Sequence, residues 1–435
     1  MYVAERFAAF AQKFRSEKLE GEVLHHAKRA VIDWHAALYP GAVVPPATLL
    51  EKSLADELGH GDAFLALGKR ATTRAAALIN GTAAHTVEVD DIYRDGIYHP
   101  GAPTIAAAMA VAQSRSMEGM SLLKAIVAGY EISTRIGAAM GTAHYKHWHN
   151  TGTVGCFGAC AAAAELLNLN QQQFSHALAT VATFAAALQQ AFRMDSMSKP
   201  LHAGRAAEAG VTAALAAQAG VTGSLDCIEG FGRAMGDGPD WEKALATLGR
   251  DWHITKMTFK NHACCGHTFA AIDGALELKK RIALEDIRSV KIGTYRAGLE
   301  VAHYEAPRTP AEGRFSLKYV VATALTHGSV RLAAFDPERL NDPTTRALMK
   351  KVSVALDPQL DAAFPRQRAA RVRIELANGK SEEWLQPTRK GDPDMPLSDA
   401  ELDGKFLELA GLVLGSKAKT KLDWLWRLEK QATLA

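Results

Sequence analysis

The chain has 435 residues, of which 48% are hydrophobic and 22% are charged, and its 50 basic and 47 acidic side chains give a net charge of +3. This composition excludes a disordered or fibrous protein, and the even spread of charge argues against nucleic-acid binding. No signal peptide opens the sequence, no window reaches the roughly 18 apolar residues of a membrane span, and five unevenly spaced cysteines indicate reduced thiols, so we expect a cytoplasmic protein without a membrane partner.

The first 250 residues or so predict a bundle of helices. Apolar residues recur at spacings of three and four, as at Val23, Ala27 and Val31. Alanine dominates these segments, and small side chains let helices approach closely. Glycine and proline mark predicted connections between helices at Tyr39-Pro-Gly, His99-Pro-Gly-Ala-Pro and Gly220-Val-Thr-Gly.

The pattern changes near Asp251, where strands and helices begin to mix. Alternation predicts strands near 252–259, 290–294, 352–354 and 372–376, a helical pattern covers 269–281, and Asn378-Gly379 is a turn signal. Ser398 and Glu401 have the spacing of a capping box, after which the chain is helical again. The sequence therefore predicts a mainly α protein, with a helical domain over 1–251 and 393–435 and an α+β domain over 252–392.

The segment from Asn80 to Gly101 concentrates ionisable groups in an alanine-rich context. Asp90 and Asp91, followed by Arg94 and His99, can place a general base, its orienting acid and an anion-binding side chain on one loop. The alternative interpretation is a solvated helix end.

Three histidines between His144 and His149 superficially resemble a metal cluster. Their spacing does not place them on one helical face and no carboxylate lies nearby, so we predict no metal here. Thr151-Gly-Thr begins an apolar helix whose amide groups can receive a carboxylate. The glycines that follow lack the preceding strand of a dinucleotide-binding motif, so no cofactor is predicted.

Two further segments carry basic groups. Lys199, His202 and Arg205 lie at the start of an alanine-rich helix, where a partly desolvated lysine would have a lowered pKa and could accept a proton. The alternative is a lysine exposed to water. The segment from Lys260 to His267 holds two adjacent cysteines, which cannot easily bind one tetrahedral ion together, so we interpret them as thiols beside a substrate loop.

Taken in order, these segments resemble the MmgE/PrpD family of 2-methylcitrate dehydratases, cis-aconitate decarboxylases and iminodisuccinate epimerase. The resemblance covers most of the chain and runs through Asn80-Gly-Thr-Ala-Ala-His, Asp90-Asp91, His99-Pro-Gly, His149-Asn-Thr-Gly-Thr-Val-Gly, Lys199-Pro-Leu-His-Ala-Gly-Arg-Ala-Ala, Val221-Thr-Gly, Lys260 with the cysteine pair, and Phe315-Ser-Leu-Lys-Tyr319. It implies a helical domain built from both chain ends, a smaller α+β lid domain, a homodimer and an active site between the domains.

The resemblance also implies site residues. In the decarboxylases, the active site is lined by residues matching Asp91, His99, His149, Lys199, Lys260 and Tyr319. This chain has Cys265 where those enzymes have a further histidine, and Gly-Ala-Pro after His99-Pro where the methylcitrate dehydratases have Ser-Asp-Asn. Both departures weaken those two activities. The stretch from Asp90 to Pro100 is most similar to the epimerase branch.

The leading hypothesis is a cofactor-free epimerase that removes and returns the proton α to a carboxylate of a small di- or tricarboxylic acid such as iminodisuccinate. The expected proton carriers are Lys199 on one face and Tyr145, His149 or His99 on the other, with Asp91 orienting an imidazole. The expected substrate-binding residues are Arg94, Lys146, Thr151, Arg205, Lys260, His267 and Tyr319. The alternatives are a lyase and a non-catalytic carboxylate-binding protein.

Overall fold

The computed structural model describes residues 1–192 and 196–434, and the chain divides into two compact units. The helical unit comprises Met1–Thr258 and Ser398–Ala435, and the mixed unit comprises Phe259–Leu397. The predicted fold class, a mainly α protein with an α+β part, is confirmed. Among the described residues, no helix has the length and apolarity that crossing a membrane requires.

The helical unit is built from fourteen described helices and one short hairpin. The helices are α1 (Val3–Ser16), α2 (Gly21–Ala42), α3 (Ala47–Ser53), α4 (Thr73–Thr86), α5 (Gly101–Ser114), α6 (Gly119–Tyr145), α7 (Asn150–Thr153), α8 (Gly155–Leu166), α9 (Gln171–Ala182), α10 (Ser198–Gln218), α11 (Cys227–Met235), α12 (Trp241–Leu245), α20 (Asp399–Leu414) and α21 (Lys417–Leu425). The hairpin pairs β1 (Leu58–Phe64) with β2 (Arg70–Ala71) in antiparallel register.

Helix α8 forms the centre of the helical unit, and all of its residues are buried. It packs against α5, α6 and α10. Glycines permit the close approach, because a Cβ added at Gly158 would lie 2.4 Å from Thr104 Oγ1, and one added at Gly210 would lie 2.4 Å from the Cys160 backbone nitrogen. The small residues of this region therefore allow the tight helix packing that the alanine-rich sequence predicts.

The C-terminal helix α20 packs against α2 within the same unit. Its predicted capping box is confirmed, since the Ser398 hydroxyl accepts from the Glu401 amide and the Glu401 carboxylate accepts from the Ser398 amide. Lys405 on α20 is 1% exposed and donates to Asp33 Oδ1 at 2.5 Å and to the Val89 carbonyl at 2.6 Å. This buried ion pair joins both chain ends to the segment that precedes Asp90.

Two local predictions about this unit are wrong. Tyr39-Pro-Gly does not connect two helices but lies inside α2, where a Cβ at Gly41 would lie 1.9 Å from the Ala83 carbonyl oxygen. The alternating segment from Trp252 is not a strand but begins with a 3-10 turn at His253–Lys256. Glu131 accepts a hydrogen bond from the His253 amide at 3.1 Å, so tertiary contacts override the local pattern.

The mixed unit holds a four-stranded sheet and seven described helices. The strands are β3 (Ile287–Thr294), β4 (Val352–Leu356), β5 (Ala370–Leu376) and β6 (Ser381–Gln386), in the order β4-β3-β5-β6 with only β3 and β4 parallel. The helices are α13 (Phe269–Lys279), α14 (Arg296–Val301), α15 (Pro310–Arg314), α16 (Leu317–His327), α17 (Pro337–Leu340), α18 (Pro343–Met349) and α19 (Pro358–Ala363). The predicted Asn-Gly turn joins β5 to β6, with Gly379 at a φ of 82°.

The units divide at 258/259 and 397/398, whereas the sequence pattern places the domain boundaries at 251/252 and 392/393. Residues 252–258 belong to the helical unit because their hydrogen bonds lie there. Thr258 and Ile92 exchange backbone hydrogen bonds at 2.8 and 2.9 Å, and the Tyr93 hydroxyl lies 3.0 Å from His253 Nδ1.

Candidate active site

Four histidines and one aspartate of the helical unit converge in its interior. We call His85, Asp90, His99, His149 and His202 the imidazole cluster. The ring centroid of His85 lies 4.7 Å from that of His99 and 5.4 Å from that of His149. The ring centroids of His149 and His202 are 5.2 Å apart. Such convergence of titratable groups is typical of an active site.

The backbone brings these residues together from distant parts of the sequence. His85 lies in the last turn of α4, His99 lies just before α5, His149 is the N-cap of α7, and His202 lies near the start of α10. The turn after α4 contains Glu88 at a φ of 61°, a left-handed conformation that is uncommon for a residue with a side chain. Such outliers cluster at functional sites.

Asp90 is the carboxylate of the imidazole cluster. Its Oδ2 lies 2.7 Å from His85 Nδ1 and 3.2 Å from His99 Nδ1, and the side chain is 1% exposed. Burial by itself would raise the pKa of Asp90, but the nearby imidazoles of His99 and His85, together with the hydrogen bond from His85, outweigh burial and hold the pKa well below its ordinary value. An ionised Asp90 accepts from His85 Nδ1–H, which leaves His85 Nε2 unprotonated in the neutral ring.

Three buried atoms of the imidazole cluster find no hydrogen-bond partner within residues 1–192 and 196–434. They are His85 Nε2, His99 Nδ1 and Asp90 Oδ1. The contact between His99 Nδ1 and Asp90 has the distance of an ion pair without the alignment of a hydrogen bond. Leaving a buried polar atom unsatisfied costs about 1–3 kcal/mol, so three such atoms in one place indicate a site that a polar ligand completes.

Asp91 does not occupy the position expected for it beside an imidazole. Its Oδ1 accepts from the Gly101 amide at 2.9 Å and its Oδ2 accepts from the Tyr130 hydroxyl at 2.7 Å. Burial, followed by the neighbouring charge of Asp33, raises the pKa of Asp91 to about 8. The carboxylate that contacts the imidazoles is therefore Asp90, and Asp91 anchors the start of α5.

The same contacts explain the glycine that follows His99-Pro100. A Cβ added at Gly101 would lie 2.7 Å from the Tyr130 hydroxyl and 2.8 Å from Asp91 Oδ1. A larger residue at this position would push the two hydrogen-bonded side chains apart. The glycine at position 101 therefore fits the packing of Asp91 against Tyr130.

Burial dominates the electrostatics of the remaining imidazoles. It lowers the pKa of His149 well below the ordinary value, with further lowering by the charges of His85, Lys199, His202 and His99. It also lowers the pKa of His85, and it lowers that of His202 to about 4. These rings are consequently neutral at pH 7 and can accept a proton.

Thr151 and Asn150 hold two loops of the site in place. The Thr151 hydroxyl accepts from the His99 amide at 3.2 Å, and the Asn150 side-chain amide donates to the Gly96 carbonyl at 2.8 Å. Thr151, expected to bind substrate, is fully buried and fixes His99 instead. The turn at Gly152 packs directly on α10, because a Cβ there would lie 3.0 Å from His202 Cβ.

Lys199 lies one turn before His202 on α10 and forms an ion pair with Glu88. Its side chain is 23% exposed, so it is accessible at the edge of the imidazole cluster. The charges of Lys199 act on His85, His149 and His202. Lys199 therefore provides a positive charge close to the imidazoles.

The other basic and phenolic residues expected in this unit lie in more open positions. Arg205 is exposed and pairs with Glu208, and Arg94 lies 3.8 Å from Asp95 with 30% of its side chain exposed. Lys146 is exposed just after α6, and Tyr145 is half-buried at the end of that helix. Their contribution to substrate binding stays a prediction.

In the mixed unit, the residues expected to bind substrate have internal contacts. His267 Nδ1 lies 2.9 Å from the Tyr295 hydroxyl, and burial lowers the pKa of His267 to about 4. Tyr319 is fully buried and its hydroxyl donates to the Ala334 carbonyl. These contacts make Tyr319 a packing residue of the mixed unit and argue against its expected role in substrate binding. Lys260 is 4% exposed, and no disulfide joins the five cysteines, all of which lie in the described part of the chain.

His85, Asp90 and His99 also form a group whose ligand atoms lie within 4.8 Å of one another, as a metal site requires. The 2.7 Å separation of His85 Nδ1 and Asp90 Oδ2 is a hydrogen-bond distance. Two ligands about 2.1 Å from one tetrahedral ion are separated by roughly 3.4 Å. The observed geometry therefore fits a hydrogen-bonded dyad better than a ligand pair.

Sequence patterns single out Asp90 as one of a carboxylate pair and His202 as one of three basic groups, but Asp90, His202 and His85 are not among the expected proton carriers and substrate-binding residues. His85 follows a run of alanines that predicts a buried helix. Because burying an imidazole is costly unless it is hydrogen-bonded, a histidine at such a position indicates a hydrogen-bonding partner. His202 lies three residues after Lys199, which places both side chains on the same helical face. That spacing could have indicated that they share a site.

Comparison with known proteins supports the family resemblance. The model of the MmgE/PrpD N-terminal domain matches residues 5–244, and that of the MmgE/PrpD C-terminal domain matches residues 262–429. The chain is 26% identical to the cis-aconitate decarboxylase-like protein oryM of Aspergillus oryzae, over 97% of this chain and 93% of that protein. It is 25% identical to cis-aconitate decarboxylase of Aspergillus terreus (94% and 90% covered) and 26% identical to that of Homo sapiens (95% and 88%).

Proposed function

Since the chain belongs to the MmgE/PrpD family, we propose that it is an acid/base enzyme that moves the proton on the carbon beside a carboxylate of a small di- or tricarboxylic acid. The observation that carries this proposal is the imidazole cluster, in which the buried, neutral rings of His85 and His149 contact each other and an ionised Asp90 accepts from His85. A protein that only binds carboxylates needs cations and N–H donors, and it does not need several buried proton acceptors.

His149 is the proposed proton acceptor. Its ring is neutral at pH 7 because burial lowers its pKa. A bound dicarboxylate adds negative charge beside the ring, and a nearby negative charge favours the protonated imidazole. Substrate binding itself therefore makes His149 a stronger base, while Asp90 orients His85 and lies beside His99, the second proposed proton carrier.

Lys199 is proposed to stabilise the developing enediolate. Removing a proton beside a carboxylate places additional negative charge on that group, so a preorganised cation lowers the barrier. The ion pair with Glu88 holds the ammonium group in position. A substrate carboxylate can share or replace Glu88 as its partner. No cofactor is required for this step.

Two outcomes follow the removal of the proton. In an epimerase, a proton returns to the opposite face of the carbon, and in a dehydratase, a β-hydroxyl leaves with the α-proton as water. A decarboxylase, the other kind of lyase, removes no α-proton first: a carbon–carbon bond breaks, CO2 leaves, and the resulting carbanion takes up a proton from one of the same side chains. We place epimerisation first, because Cys265 and Gly101 depart from the decarboxylase and dehydratase patterns. The lyase is the second candidate, and it is favoured by the similarity to proteins named as cis-aconitate decarboxylases.

Incubation with iminodisuccinate, methylcitrate, citrate and cis-aconitate in deuterium oxide, followed by proton NMR, tests the proposal. Without any added cofactor, we expect at least one acid to exchange its α-proton, and the same spectrum distinguishes epimerisation, elimination and decarboxylation. Binding of these acids without exchange or turnover would identify a carboxylate-binding protein instead. Light scattering tests the homodimer that the family resemblance predicts.

A further inference from the structure

The proposed proton acceptor His149 is nearly inaccessible to solvent. Only 2% of His149 is exposed, and its backbone amide donates to the Ala187 carbonyl at 2.9 Å. A base that takes a proton in a closed site must pass that proton on before the next turnover. The route from His149 to water is therefore a functional requirement that the imidazole cluster has to meet.

His202 contacts His149 in a manner suited to that task. The two Nδ1 atoms lie 3.0 Å apart, and His202 is half-buried whereas His149 is buried. Two imidazole nitrogens can approach this closely when one carries a hydrogen and the other accepts it. The backbone enforces the contact, since the close packing of Gly152 on His202 leaves no space for a side chain at position 152.

We propose that His202 relays protons between His149 and solvent, an inference that rests on the proposed function of His149. His149 takes the α-proton of the substrate at Nε2, and its Nδ1–H passes to His202 Nδ1. His202 then releases the proton on its own Nε2 to water. The electron pair of the broken carbon–hydrogen bond stays on the substrate. In the reverse sequence water protonates His202 Nε2, the hydrogen on His202 Nδ1 returns to His149 Nδ1, and His149 Nε2 gives its hydrogen to the substrate, which restores the starting tautomer of both rings.

The charges around His202 favour release. His149 contacts it from α7, His85 lies beside it from α4, and Lys199 lies one turn earlier on α10. Burial, then His85 and Lys199, lowers the pKa of His202 to about 4, so a protonated His202 gives up its proton readily at pH 7. His202 acts through His149 and is a positioning and relay residue, not a group that touches the substrate.

The test compares His202→Gln with His202→Ala. Glutamine keeps a hydrogen-bonding side chain next to His149 but cannot relay a proton. We expect both variants to lose about tenfold to a hundredfold in turnover with little change in KM, the lower end of what a positioned proton carrier contributes. Added imidazole should restore turnover to His202→Ala in a saturable manner and should not restore it to His202→Gln. The matched control is His176→Gln, which should keep wild-type turnover. His176 lies on α9, and its ring contacts the Gly223 carbonyl instead of the imidazole cluster.

An isotope measurement separates relay from simple positioning. The hydrogens that the relay moves, on His149 Nδ1 and His202 Nε2, come from solvent, so deuterium oxide should slow the turnover of the wild-type protein more than that of His202→Gln. If His202→Gln turns over like the wild type and shows the same solvent isotope effect, the contact is structural and the relay is refuted. If the wild type itself exchanges none of the acids, the proposed function fails, and that outcome is distinguishable from failure of the relay alone.

Discussion

Buried histidines occur in both units, but their surroundings differ. In the helical unit the rings contact one another, with centroid separations of 4.7 to 5.4 Å across the imidazole cluster. In the mixed unit His262 binds Asp273 at 2.8 Å and His267 binds Tyr295 at 2.9 Å, each within its own local network. A buried histidine by itself is therefore weak support for a site, whereas convergence of several is strong support.

The number of buried atoms left without a hydrogen bond explains why we interpret the histidines of the two units differently. A buried imidazole with one hydrogen-bonding neighbour is a satisfied core residue. In the imidazole cluster three buried atoms are unsatisfied among the described residues, whereas His262 Nδ1 is the single such atom among the buried histidines of the mixed unit. Folding alone does not reward such an arrangement, so function is the better explanation for it.

The largest expected effect comes from His149→Ala and His99→Ala. Each removes a proton carrier, and we expect turnover to fall by about a hundredfold or more. His267→Ala in the mixed unit should reduce turnover less, and circular dichroism should show that all three variants fold. Near-normal turnover in both helical-unit variants would reverse the comparison and make the basic residues around Lys260 and His267 the next candidates.

The second largest effect is expected for Lys199→Ala, on the order of a hundredfold in turnover, because it removes the cation beside the imidazoles. Lys199→Arg keeps the charge and should retain more activity. Glu88→Gln removes the ion-pair partner and leaves the ammonium in place, so it should cost less than Lys199→Ala. Equal losses in Lys199→Ala and Glu88→Gln would show that the pair only supports the turn after α4.

The dependence of stability on pH offers a third test. Burial lowers the pKa of His202 from its ordinary 6.5 to about 4, so the unfolded chain binds more protons than the folded chain between these values. This contribution to stability is present above pH 6.5 and is lost as the pH falls towards 4. Between those values, the melting temperature of the wild type should fall more steeply than that of His202→Gln. Other groups, including Asp33 and Asp91 with their raised pKa values, are common to both proteins and cancel.

Much of the fold could be predicted from local patterns. The helical periodicity around Val31, the capping box at Ser398 and the turn at Gly379 depend on neighbouring residues, and the structure confirms them. The choice between Asp90 and Asp91 could not be predicted in this way. It depends on the turn at Glu88, which is two residues earlier, and on Tyr130, which is distant in the sequence and donates to Asp91.

A smaller effect is expected for Tyr319→Phe in the mixed unit. The hydroxyl donates to the buried Ala334 carbonyl, so its removal leaves an acceptor unpaired and should lower the free energy of unfolding by about 1–3 kcal/mol. Turnover per folded molecule should stay close to that of the wild type, because Tyr319 is fully buried. Denaturant titration gives the first quantity and the exchange assay the second. A large loss of turnover without a loss of stability would show that Tyr319 takes part in catalysis or substrate binding.

The smallest effect, none at all, is expected from exhaustive chelation. A bound ion would offer a second explanation for the imidazole cluster, since His85, Asp90 and His99 have ligand atoms within 4.8 Å. To share one ion, His85 Nδ1 and Asp90 Oδ2 would have to separate from 2.7 Å to roughly 3.4 Å, and Nδ1 would have to lose the hydrogen that Asp90 accepts. A hydrogen-bonded dyad needs neither change. Full activity after chelation, with no metal by elemental analysis, supports acid/base chemistry by the side chains alone. Loss of activity that one divalent ion restores would instead make these three residues ligands.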